Sequence, residues 1–293
     1  MDWLTLSLIC AFSLATADAL GKKYFSDYSE HAILLVRFVV PGILLVPVLF
    51  FVPLPTQVSH EFWLWLLVMV PLEILAMLLY MQAIHEAPLY QTLPYLSFTP
   101  VFSMFTGWIT LGEAISVEGA LGIIFIVLGT YIINLDHGDA RKKITWFTPF
   151  KAIASQRGSQ KMLLAAFIYS ITAVGSKAAM QYYAEPSSFG AIYFISIAIA
   201  TFLLVLVHRP KTLLILKQNI WPHLLVGSLM AIMVVTHFLA IALVEAAYMI
   251  AVKRLSLLIG VIYGAWWFHE KDIVKNFSAA LLMLVGVAMI LIA

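Results

Sequence analysis

Apolar residues recur along this chain in blocks of about 20, parted by short polar breaks. A helix of that length crosses a hydrocarbon core of about 30 Å and satisfies its own backbone hydrogen bonds while doing so. The blocks therefore predict an all-α polytopic membrane protein. Composition agrees, since 63% hydrophobic and 11% charged residues at a mean hydropathy of +0.99 lie far outside the soluble globular range. A formal net charge of +2 gives no argument for a nucleic-acid partner. The single Cys10 sits in an apolar segment, rules out an intrachain disulfide and reads as a small core side chain.

Ten transmembrane helices are expected, at approximately Leu4–Leu20, Ala32–Val52, Phe62–Gln82, Tyr90–Leu111, Glu118–Leu135, Met162–Gln181, Phe189–Val207, Trp221–Ile241, Ala246–Phe268 and Phe277–Ile292. The longest connection divides them into a first half at 1–135, a basic linker at 136–161 and a second half at 162–293. Met1-Asp2-Trp3 brings no basic region and no small-residue cleavage site follows, so the first segment is expected to stay in the membrane. In the linker, Arg141, Lys142, Lys143, Lys151, Arg157 and Lys161 alternate with Trp146, Phe147 and Phe150. Such a stretch suits an interface resting on anionic headgroups and anchors the topology.

The halves resemble each other. A shift of 157 places Thr99, Ser103, Gly107, Glu113 and Gly129 on Ser256, Gly260, Gly264, Glu270 and Gly286. Near the start the shift is 155, with Lys22 on Lys177, and locally it is 159, with Glu86 on Glu245. Small residues at four-residue spacing let helix backbones approach closely, and here both copies carry them. Five spans per half is an odd number, so the second half enters the membrane in the opposite sense. Two inverted five-helix repeats are the architecture of many secondary transporters.

Of the 17 Lys and Arg, only Arg37, Lys177, Lys253 and Arg254 fall within spans. All others lie in the connections after the first, fifth, seventh and ninth spans, which the positive-inside rule places in the cytoplasm. Both termini are then expected on one side, the non-cytoplasmic one.

Cations inside spans are expensive and mark function or pairing. Lys253 and Arg254 interrupt the apolar run of the ninth span. They are about 100° apart on a helix, so either both snorkel to the near surface or one lines a cavity. In the second reading the Arg254 fork and the Lys253 point charge meet a carboxylate or phosphate. Lys177 and His237 open toward the same face as further substrate contacts, His237 alternatively being a core histidine. Asp18 and Lys22, four residues apart, are expected to pair. Arg37 and Glu73 either form a charge pair across the second and third spans, or Glu73 is a proton site coupled to transport. Tyr80, Tyr95, Tyr169 and Tyr263 are candidates to line a central cavity or to pack, with Tyr80 and Tyr95 taken as substrate contacts. Glu113 and Glu270 end the fourth span of each half and are read as acting at the following turn.

The stretch Pro100-Val-Phe-Ser-Met-Phe-Thr-Gly-Trp-Ile-Thr-Leu-Gly-Glu113, with Gly122 and Gly129, resembles the repeat signature of EamA-type drug/metabolite transporters. Lys253-Arg254-Leu-Ser256, Gly264 and Phe268-His-Glu270 resemble its second copy. The resemblance spans essentially the whole chain and implies a carrier of small metabolites; in sugar-phosphate carriers of this superfamily a Lys-Arg pair in the penultimate span binds phosphate. Many relatives have a basic loop between the second and third spans, and cytoplasmic termini. Pro53 to Glu61 here has no Lys or Arg, which sets the charge count against that orientation.

The expected function is a secondary active transporter, exporter or exchanger, of a small anionic or zwitterionic metabolite in a bacterial inner (plasma) membrane, without cofactor or metal. A channel or lipid-handling scaffold is the alternative, although no filter-like stretch stands out. An intramembrane enzyme finds little support: His85-Glu86 and His269-Glu270 lack a second histidine one turn on, at Leu89 and Ile273. Neither a Gly-x-Ser-x-Gly elbow nor a phosphate-binding Gly-x-x-x-x-Gly-Lys loop is present, so energy comes from a gradient or an exchange.

Overall fold

A computed structural model describes residues 1–86, 92, 95–135, 156–183, 185–218, 220–267 and 276–293. Among the described residues every regular element is helical: α1 Trp3–Tyr24, α2 Glu30–Phe50, α3 His60–Glu86, α4 Thr99–Leu111, α5 Val117–Leu135, α6 Arg157–Met180, α7 Pro186–His208, α8 Ile220–Ile241, α9 Ala246–Lys253, α10 Leu255–Trp267 and α11 Asn276–Leu291. A 3₁₀ segment, Pro210–Lys217, joins α7 to α8. Among the described residues, seven helical spans are long and apolar enough to cross a membrane: α1, α2, α3, α6, α7, α8 and the α9–α10 run. Shorter apolar helices at Val117–Ile132 and Ser278–Leu291, together with the 13-residue α4, occupy the other three expected positions. Most of the linker, 136–155, and Glu270 lie outside the described residues.

Local chemistry sets the ends and breaks. Asp2 caps α1 by accepting the Thr5 N–H at 2.7 Å. α2 is interrupted by a π turn over Leu35–Val39 just before Pro41, whose ring and missing N–H cannot sustain the regular ladder. Gly112 ends α4 at φ 67°, a left-handed cap that suits glycine, and turns the chain so that Glu113 folds back over Gly107.

The packing pairs the halves helix by helix. α1 packs on α8 and α3 on α6; α2 meets α7, α4 meets α9, and α5 lies along α11. The α5–α11 seam repeats one contact. A Cβ on Gly286 would meet the Gly122 carbonyl at 2.5 Å and the Ile126 nitrogen at 3.0 Å. A Cβ on Gly129 would meet the Ala279 carbonyl at 2.7 Å and the Met283 nitrogen at 3.3 Å. Shifting Gly122, Ile126 and Gly129 by 157 gives Ala279, Met283 and Gly286, so these are one contact in two copies. Such close backbone approach is how helices associate where lipid removes the hydrophobic drive. Leu67, Ile109 and Val207 are exposed on the outer surface, apolar positions that a membrane solvates.

Candidate functional site

Both halves converge on one partly open cavity of about 170 Å³. Its wall takes residues from α1, α2, α3, α6, α7, α8 and the α9–α10 run, and from the approach to α4.

The α9–α10 break lies on this wall. The Arg254 N–H donates to the Ala251 carbonyl at 3.0 Å and the Leu257 N–H to the Arg254 carbonyl at 3.0 Å, three-residue bonds that replace the four-residue ladder. The first half breaks at the same register: Ser97 and Phe98 form a turn before α4, and the 157 shift puts Ser97 on Arg254. Helices broken at cavity depth are a recurring way for transporters to build a site.

Arg254 reaches across to the first half, donating from Nη2 to the Thr99 hydroxyl at 2.7 Å. Thr99 in turn donates its own proton to the Leu96 carbonyl at 2.7 Å, so its oxygen is fixed as an acceptor. The Arg254 Nε has no hydrogen-bond partner among the described residues. Lys253 Nζ lies 3.5 Å from His237 Nδ1, and both line the cavity. Tyr80 and Tyr169 line it as well.

Two expected pairings change. Asp18 does not pair with Lys22, nor Arg37 with Glu73; instead Arg37 Nη2 lies 2.7 Å from Asp18 Oδ1. The guanidinium is 16% exposed and needs a counter-charge. Glu73 faces the cavity with the Thr172 hydroxyl beside it.

Lys177 is not brought to the cavity. Its ammonium donates to Glu113 Oε1 at 2.5 Å and to the Val244 carbonyl at 2.6 Å, while Glu113 Oε2 accepts the Ala246 N–H at 2.9 Å. Glu113 thus caps α9 from the other half and neutralises Lys177. Glu113, expected to act at the turn into its next span, instead bonds Lys177 and the start of α9 in the other half. Tyr95 also stays off the cavity, buried at 1% exposure against Ala83, Met162 and Ala166, because close packing of α3 and α6 claims its ring. Tyr263 bonds Thr16 at 2.8 Å across α1 and α10. Glu86, at the end of α3, pairs with Lys161 at 2.5 Å.

Tyr193, Thr172 and Ser176 complete the polar wall without having been expected there. Nothing in sequence separates Tyr193 from an aromatic at the membrane interface; only the packing of α7 turns it inward.

A many-helix apolar shell around a largely apolar cavity with charged groups on its wall, shared by two similar halves, defines an integral membrane protein of the solute-carrier kind. The family comparison agrees: the EamA-like transporter family matches residues 1–135 and 156–292, and the chain belongs to it. It is a membrane transporter of a family whose members are transporters and not enzymes, with a small-molecule substrate and a lipid surround. Among solved structures, 27 chains match; one, described only as the crystal structure of a protein, is 14% identical and superposes with a TM-score of 0.75 over 100% of this chain and 99% of that one. That likeness is one of fold. No curated protein matches the sequence.

Proposed function

We propose that this protein is a secondary active transporter, exporter or exchanger, that carries a small anionic or zwitterionic metabolite by alternating access between two inverted five-helix repeats. One observation carries the reading: Arg254 and Lys253 border a partly open cavity walled by helices of both halves. Arg254 presents an Nε–H without a partner among the described residues, and an anion answers a buried guanidinium better than any neutral group. Lys253 adds charge beside it, and His237 orients the ammonium.

The paired contacts of the α5–α11 seam, and helix breaks at the same register in both halves, support the repeat. Ten spans follow if α4, α5 and α11 also cross. The charge count then puts both termini on the non-cytoplasmic side of a bacterial inner membrane. Lys177 leaves the set of substrate contacts and becomes part of the framework, and so does Tyr95.

A thermal-shift screen of metabolites on detergent-purified protein tests the reading. Anionic or zwitterionic compounds should stabilise the wild type and lose that effect with Lys253→Ala and Arg254→Ala. Stabilisation only by neutral solutes, untouched by either substitution, would remove the anion site.

A further inference from the structure

The cavity differs at its two ends. Asp18 and Arg37 line it toward the end of α1 that carries Lys22 and Lys23, and there the Asp18 side chain is 42% exposed. α8 starts at the same face, where His223 stacks on Phe25 at 5.0 Å, so the far end of α8 and its connection to α9 lie at the opposite face. At that opposite end the wall is Ser176 and His237, only 1% and 8% exposed. The connection begins one turn past His237 and is fastened at three points. The Val244 carbonyl accepts from Lys177 Nζ at 2.6 Å, and the Ala246 N–H donates to Glu113 Oε2 at 2.9 Å. The Tyr248 hydroxyl accepts the Ser116 N–H at 3.3 Å, and its ring lies over Gly119, where a Cβ would come within 2.5 Å of Tyr248 Cε1. Glu113, Ser116 and Gly119 belong to the first half, and Lys177 stands on α6, which packs against α3 and α4. The first two fastenings part at low cost. Lys177 and Glu113 already neutralise each other, so withdrawing the 244–246 backbone strands no lone charge. The Ala246 N–H opens a helix, where water answers a backbone donor as well.

We propose that the segment Val244–Tyr248 is the gate that closes the cavity at the face away from Lys22 and Lys23, with the Lys177–Glu113 pair and Ser116 as its catch. The ion pair is the fixed half of the catch and the backbone of 244–246 is the moving half. Opening carries the start of α9 off the end of α4. Lys253 ends that same eight-residue helix and Arg254 follows it, so the movement that exposes the far end also bears on the Arg254 bond to Thr99. Gate and charged pair sit on one short rigid element, which links what the cavity holds to whether this end is shut. The inference rests on the carrier reading of the cavity. Its test reads access instead of transport, so a failed transport assay and a failed gate are told apart.

The test is the rate at which a hydrophilic thiol reagent modifies single cysteines in the full-length protein in lipid nanodiscs, with Cys10 replaced by alanine. The reporters are Ala246→Cys behind the gate, Leu14→Cys on the cavity wall one turn from Asp18, and Ala83→Cys in the packing of α3 and α6, away from both. Leu14→Cys should react about tenfold faster than Ala246→Cys, which waits for a local opening. Adding Tyr248→Phe or Glu113→Gln should speed Ala246→Cys about fivefold, the population shift expected for one lost hydrogen bond, and leave Ala83→Cys unchanged. Ala246→Cys reacting as fast as Leu14→Cys would overturn the closed end. A rate at Ala246→Cys that neither substitution moves, or one that rises together with Ala83→Cys, would overturn the catch.

Discussion

The seam between α5 and α11 and the wall around Arg254 come from corresponding stretches of the two halves, yet they treat that correspondence in opposite ways. Along the seam the correspondence holds down to single atoms, Gly286 on the Gly122 carbonyl and Gly129 on that of Ala279. Around the cavity both halves break their helix at the same place, but Leu96 and Ser97 face one way of using it and Lys253 and Arg254 another. The difference has a physical cause. Backbones in contact tolerate only small side chains on either side, so both copies are held to the same choice. A break that opens on a cavity sets no such limit, and one copy is free to acquire charge.

Breaking the shared framework should cost most. Glu113→Ala leaves Lys177 at 19% exposure without its counter-charge and strips the cap from α9, an expected loss of about 3–5 kcal/mol in detergent unfolding. Glu113→Gln keeps the acceptor for Ala246 and should lose less. Next come Gly122→Ala and Gly286→Ala, where a new Cβ would press a backbone carbonyl at 2.6 Å and 2.5 Å respectively. Each should destabilise by about 1–3 kcal/mol and, since the contact is mutual, by nearly equal amounts. A large inequality in unfolding would show the seam to be less symmetric than its geometry. The smallest effect falls at Thr99. Thr99→Val removes the acceptor for Arg254 and should weaken anion binding by about 1 kcal/mol, roughly fivefold, with Thr99→Ser near wild type in the same titration.

Hydropathy made the long spans legible. Helices at Trp3–Tyr24, His60–Glu86, Arg157–Met180, Pro186–His208 and Ile220–Ile241 lie within a few residues of their expected positions. The signal is local, a run of apolar side chains long enough for the membrane. The pairing of charges was not legible, because it depends on which helices become neighbours. Arg37 chose Asp18 over Glu73, and Lys177 turned to Glu113 rather than to the cavity. The helix break at Arg254 also escaped, since Ala246–Phe268 reads as one apolar run. The internal repeat did better. Its 157-residue register placed Gly129 on Gly286, and those two glycines prove to occupy equivalent contacts.

The account stands most directly on labelled-solute counterflow in proteoliposomes, using metabolites that stabilise the purified protein. Wild-type protein should give saturable uptake accelerated by solute on the opposite side, and the Lys253→Ala/Arg254→Ala double variant should lose at least tenfold of it while remaining monodisperse, the effect expected when a desolvated anion loses charged partners. Uptake of every solute unchanged by the double substitution would contradict the anion-binding carrier proposed here.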